Sequence, residues 1–176
     1  MDWEFEILYL IQEMRTPALD SFMATVTHFG DGGIGWLVIG ILLTLFKKTR
    51  KCGWTVLFSM LVCLFVGNIG LKNLVGRLRP CQIDAGVRML ISTPGGYSFP
   101  SGHTLHAFTA ATAIFLYYKK PGVIALIFAA LIAFSRMYLF VHFPTDILAG
   151  FALGAAMAVL VYHCITKKIV LKYFVS

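Results

Sequence analysis

The chain has 176 residues, of which 59% are hydrophobic and only 13% charged, with a formal net charge of +7. Its mean hydropathy is +0.81. An ordinary soluble domain is about 45–50% apolar and about 25% charged, and a fold of this length has too little interior to hide the excess. Soluble, disordered and fibrous classes are therefore excluded, which leaves an all-α, polytopic membrane bundle.

Residues 1–14 place Trp3, Ile7, Leu10, Ile11 and Met14 at helical spacing, with Asp2, Glu6 and Glu13 opposite. That pattern predicts an amphipathic helix lying in the membrane interface. Acids stand where a secretory leader would be basic, which argues against a cleaved signal. Five apolar stretches follow, to be compared with the ~20 residues that cross a bilayer core of ~30 Å. They cover residues 25–46, 54–74, 104–118, 123–141 and 147–165. The first has a Gly-rich start around Asp31 and its clear apolar part at residues 34–46. No repeat or low-complexity tract is visible. Residues 1–176 read as one domain, with 1–19 as the interfacial helix and 20–176 as the helical core.

Nine of the fifteen Lys and Arg fall on one side of this five-span arrangement: Lys47, Lys48, Arg50, Lys51, Lys119, Lys120, Lys167, Lys168 and Lys172. The positive-inside rule makes that side cytoplasmic and puts the N-terminus at the outer surface. Topology thus accounts for much of the charge, and no nucleic-acid partner is expected. Arg15, Lys72, Arg77, Arg79, Arg88 and Arg136 collect on the opposite side, where topology gives no reason for them. Of the cysteines, Cys52 falls inside, Cys63 mid-membrane and Cys164 near the inner face. Only Cys81 reaches the oxidising side, so no internal disulfide is expected.

Three polar clusters interrupt the apolar background, all mapping to the outer face. Lys72 to Pro80 closes the second span, Pro100-Ser101-Gly102-His103 opens the third, and Ser135-Arg136, His142 and Asp146 bridge the fourth and fifth. Each has a bland reading. Lys72 and Arg79 could snorkel, Ser101 could cap a helix, His103 could be a satisfied buried polar group, and Asp146 could complement a helix dipole. Together they describe something more. Lys72, Arg79 and Arg136 are cations, two of them guanidiniums able to grip phosphate oxygens bidentately. Ser101, Gly102 and His103 begin a helix whose free N–H groups favour an anion. His142 and Asp146 lie four apart, with Pro144 starting a helix between them. Asp146 could then orient His142 as a nucleophile, leaving His103 for acid–base work.

Lys72-x6-Arg79-Pro80, Pro100-Ser101-Gly102-His103 and Ser135-Arg136-x5-His142-x3-Asp146 resemble the three-part signature of the type 2 phosphatidic acid phosphatase superfamily. That superfamily includes integral-membrane lipid phosphatases and shares its pocket with vanadium haloperoxidases. The resemblance covers about residues 20–165. It implies His142 as the nucleophile forming a phosphohistidine, Asp146 as its orienter and His103 as the leaving-group acid. It further implies Lys72, Arg79, Ser101, Gly102 and Arg136 as phosphate ligands, with no metal or other cofactor. Many members have six spans; this chain is expected to keep an interfacial helix in place of the first.

The expected activity is hydrolysis of a membrane lipid phosphate or diphosphate at the outer face of the plasma membrane. Undecaprenyl diphosphate is the leading substrate by resemblance to small bacterial members, with phosphatidylglycerophosphate and phosphatidate behind it. A transporter of anions or lipid phosphates, a metallohydrolase using His103, His142 and Asp146, and a lipid-binding pseudoenzyme are the competing classes. Gly150-x3-Gly154 is expected to allow close helix packing, and His106 to be structural although it could line the pocket. Arg77 and Arg88 could serve a second anionic group or simply lie at the surface. No motif supports His28 or His163, and the sequence leaves the oligomeric state open.

Overall fold

The computed structural model describes residues 2–167, so Met1, Lys168 and Lys172 lie outside the described residues. After α1 (Asp2–Glu13), Thr16 caps the next helix by accepting from the Leu19 N–H, with Pro17 in its first turn. This is α2 (Pro17–Phe29). The first apolar stretch therefore begins earlier than its hydropathy suggests. A turn at Asp31–Gly33 breaks it, with Gly32 and Gly33 at φ 58° and 72°, before α3 (Ile34–Leu45). Next comes α4 (Arg50–Cys63), which runs into a π-helical segment, Leu64–Leu71, and then α5 (Lys72–Val75). The short α6 (Pro80–Ile83), α7 (Gly102–Tyr117), α8 (Lys119–Tyr138) and α9 (Pro144–Thr166) complete the fold. Among the described residues there is no strand.

Four helical stretches are long and apolar enough to cross a membrane: Pro17–Leu45, Arg50–Ile83, Lys119–Tyr138 and Pro144–Thr166. Their outward residues include Ile124, Ile127, Leu148, Phe65 and Leu160, all exposed. Apolar surface on this scale suits lipid, not water. The remaining apolar stretch, residues 104–118, is α7, and it differs from the other four. Its 16 residues rise only about 24 Å, yet it runs from one end of the bundle to the other. It can be short because it is shielded from lipid by α4, α8 and α9. Ala107, Ala110, Ala111 and Ala113 are buried on it. Small residues allow the close approach: a Cβ on Gly154 of α9 would fall 2.5 Å from the Leu105 carbonyl oxygen of α7.

The two ends of the bundle are chemically different. At one end the Tyr118 hydroxyl donates to the Lys48 carbonyl at 2.8 Å, tying the α7–α8 junction to the α3–α4 turn. Seven of the nine topology-marking cations sit on this end: Lys47, Lys48, Arg50, Lys51, Lys119, Lys120 and Lys167. At the other end α1 lies across the bundle. Its inward face is not the one the apolar pattern suggests. Glu4, Leu8 and Ile11 are buried, whereas Trp3, Leu10 and Met14 are about half exposed. Leu8 packs with Phe140 and Phe143, and the Phe5 ring meets Phe143 edge-on at 5.3 Å. The helix is thus held between the protein on one side and an outward apolar stripe suited to the interface.

Candidate active site

At the end covered by α1, a cavity of about 160 Å³ opens between α2, α7, α8 and the π-helical segment. Six of the eight residues singled out by the sequence line it: Lys72, Arg79, Gly102, His103, Arg136 and His142. Ser101 and Asp146 are fully buried behind the wall. The Ser101 hydroxyl accepts from Thr104, and its N–H donates to the Asp146 carbonyl at 3.1 Å, which pins the start of α7 to the start of α9.

His142 sits in the tight link between α8 and α9. Phe140, two residues earlier, has φ 60°, a conformation costly for a bulky residue. The ring of Phe140 is held against Tyr9 at 5.9 Å and Phe5 at 6.1 Å. This packing fixes the link that presents His142. The imidazole Nδ1 lies 3.5 Å from Asp146 Oδ2, too long for a good direct hydrogen bond. Ser98 closes the gap: its hydroxyl donates to Asp146 Oδ2 at 2.5 Å, and its oxygen is 3.3 Å from Nδ1. Asp146 also accepts from the Phe143 N–H at 2.8 Å and from Arg77 at 2.9 Å.

On the other nitrogen, Arg79 donates to His142 Nε2 at 3.0 Å, so Nε2 carries the lone pair and the ring proton sits on Nδ1. Burial pushes the imidazole pKa down to about 3; the Asp146 hydrogen bond opposes this, while Arg79 and Arg136 add to it. The ring is therefore neutral, as a nitrogen nucleophile must be. Arg79 has a second task. It donates to the carbonyls of Gly95, Gly96 and Val141, stitching the loop before α7 to the His142 link.

Arg136 is buried, with one nitrogen bonded to the Thr27 hydroxyl and its Nε without a hydrogen-bond partner. A buried, unmatched guanidinium donor costs roughly 1–3 kcal/mol unless an acceptor arrives. An anion in the cavity would supply one.

Sequence reasoning missed four residues here. Asp31 accepts from His103 Nε2 at 2.9 Å and from His28 Nδ1 at 2.8 Å. Glu4 pairs with Arg77 at 2.5 Å and accepts from Thr145. Ser98 bridges the His142–Asp146 pair. Asn68 Nδ2, from the π-helical segment, lies 3.1 Å from His106 Nε2 at the cavity wall. The only signals were an acid inside a glycine-rich turn and an acid on the apolar side of α1. Arg77, open between surface and ligand roles, is a support for Asp146. Arg88 lines a separate surface cavity with Asp20. Among the described residues, no group of three or more His, Cys, Asp or Glu is placed to hold a metal ion.

An apolar helical bundle closing over a small cationic cavity lined by three histidines fits an integral-membrane phosphatase. Residues 53–169 match the PAP2 superfamily, and the chain belongs to that family of lipid phosphatases. It is 32% identical over 151 residues to the undecaprenyl-diphosphatase of Sulfolobus acidocaldarius, covering 85% of this chain and 72% of the relative. The lipid A 4'-phosphatase of Bacteroides thetaiotaomicron is 27% identical over 189 residues, covering 96% of this chain and 80% of the relative. The crystal structure of a PAP2-type phosphatidylglycerolphosphate phosphatase from Bacillus subtilis matches with a TM-score of 0.77 at 27% identity. That match covers 98% of this chain and 88% of the solved one.

Proposed function

We propose that the protein hydrolyses the terminal phosphate of a membrane lipid diphosphate, with undecaprenyl diphosphate as the substrate. The active site would face the extracytoplasmic side of the plasma membrane, and the chain would act as one domain. The observation that carries this is the placement of His142 Nε2, 3.0 Å from the Arg79 guanidinium in a cavity shared with Lys72, Arg136 and His103. At about 160 Å³ that cavity is smaller than drug-sized pockets, which suits a phosphate headgroup. Beside it, and sharing Gly32 and His106 with it, lies an apolar groove of about 420 Å³ that also includes Leu57, Leu61 and Leu64. A lipid chain has a place to lie.

In this mechanism Lys72, Arg79, Arg136 and the start of α7 at Gly102 bind the phosphate oxygens and stabilise the charge spread over them, while Ser101, expected as a ligand, stays behind the wall and pins that helix start. The His142 Nε2 lone pair forms a P–N bond. The bond to the leaving oxygen breaks, its electron pair stays on that oxygen, and His103 supplies the proton. Asp146, through Ser98, steadies the charged imidazole. Water then attacks phosphorus and gives its proton to His103, and the P–N electron pair returns to Nε2.

Purified protein in detergent should release phosphate faster from undecaprenyl diphosphate than from phosphatidylglycerophosphate or lipid A at equal surface concentration. A reversed preference overturns the substrate, and no release from any of the three overturns the reading. His142→Ala should lose roughly 10⁴-fold in rate while keeping its fold. Comparable turnover by that variant would remove His142 as nucleophile.

A further inference from the structure

The cavity has a second carboxylate–imidazole pair that the family signature does not include. Asp31 Oδ1 lies 2.9 Å from His103 Nε2, and its Oδ2 lies 2.8 Å from His28 Nδ1. The turn carrying Asp31 is built around His103. A Cβ on Gly30 would stand 2.7 Å from the His103 ring, so only glycine lets the turn come this close. The other charged or titratable groups that line the cavity with His103 are Lys72, Arg79, Arg136, His106 and His142, each cationic or able to become so. Such surroundings disfavour the imidazolium that a leaving-group acid must be. Asp31 is the counter-charge bonded to that ring.

We propose that Asp31 is the positioning residue of the acid–base histidine, holding the proton at His103 Nε2 so that Nδ1 is the nitrogen that gives a proton to the leaving oxygen and later takes one from water. The side chains are one carboxylate between two imidazoles, His28 being 63% exposed and His103 only 18%. Asp31 and His103 thus repeat, on the far wall of the cavity, what Asp146 does for His142. The proposal rests on the phosphatase reading above and adds a residue to it. It also predicts how substrate chemistry matters. An alkoxide leaving group needs its proton as the bond breaks, whereas a nitrophenolate does not.

The test is Asp31→Asn, which keeps size and shape but removes the charge. It is assayed in detergent on dioleoyl phosphatidate, an alkyl ester, and on p-nitrophenyl phosphate. Turnover of phosphatidate should fall roughly 10²-fold, while p-nitrophenyl phosphate should lose no more than about threefold, and Asp31→Glu should recover part of the loss. In a His103→Gln background, Asp31→Asn should cost nothing further on phosphatidate. Equal losses on both substrates, or an additive loss in the double variant, would overturn the proposal in favour of a structural role. No loss on either would overturn it as well. Wild-type turnover of neither substrate would leave the phosphatase reading to the lipid panel above, where no release from any member overturns it. The histidine ring ¹⁵N shifts then decide: His103 must carry its proton at Nε2 in the wild type and lose that preference in Asp31→Asn.

Discussion

Arg77 Nη1 stands 2.9 Å from Asp146 Oδ1, and the same guanidinium reaches Glu4 Oε2 at 2.5 Å. An interfacial helix is thereby joined to the carboxylate behind His142. The guanidinium also lies 3.9 Å over the Phe143 ring, the residue next to His142. Glu4 is buried, and Arg77 is the cation paired with it.

Arg77→Gln leaves two buried carboxylates without their cation. Removing one member of such a pair costs about 3 kcal/mol, to be read as a lower thermal midpoint in detergent. Asp146 also loses its orienting contact, and turnover should drop roughly 10²-fold with little change in KM. Adding Glu4→Gln to Arg77→Gln should recover part of the stability, because one stranded charge is gone. An unchanged midpoint and rate in Arg77→Gln would separate α1 from the catalytic machinery.

Arg79 donates to three backbone carbonyls besides His142. A lysine carries the charge but cannot span those acceptors, since its ammonium is a compact point donor. Arg79→Lys should therefore lower kcat/KM by about 10²-fold, or ~2.7 kcal/mol of transition-state stabilisation. Both kcat and KM should worsen, because the loop and the cradle are held by one side chain. Near-normal kinetics in Arg79→Lys would show that charge alone suffices.

The buried His142 makes stability depend on pH. Its ordinary value is 6.5, and burial lowers it to about 3 in the folded protein. Between those values the unfolded chain binds a proton that the folded chain refuses, so stability falls as pH falls. The thermal midpoint should decline from pH 6.5 toward pH 3, and His142→Gln should flatten that slope. An identical slope in the variant would place the acid sensitivity elsewhere.

How much of this was visible beforehand differs by residue. The later apolar stretches lie close to their helices because each rests on local hydropathy, whereas the first starts eight residues earlier, at Pro17 rather than Thr25, and α7 falls short in length only because its neighbours cover it. The apolar pattern of α1 marked a stripe for the membrane interface and left its protein-facing side unmarked, for a physical reason. Its apolar residues form two stripes, and the buried salt bridge of Glu4 with Arg77 draws a different side inward. Asp31 looked like a weak beginning to a span, since an acid among glycines reduces hydropathy whatever its purpose. Ser98 sits in an irregular loop with no pattern to mark it.

Composition, hydropathy period and motif spacing are properties of neighbouring residues, so the sequence alone determined a helical membrane protein and the residue types that line its cationic cavity. What joins residues 69 to 73 positions apart is different in kind: Asp146 to Arg77, Arg77 to Glu4, His103 to Asp31. Those pairings exist only once the helices have packed, because a charge chooses its partner by distance in space, and burial decides how much that choice is worth.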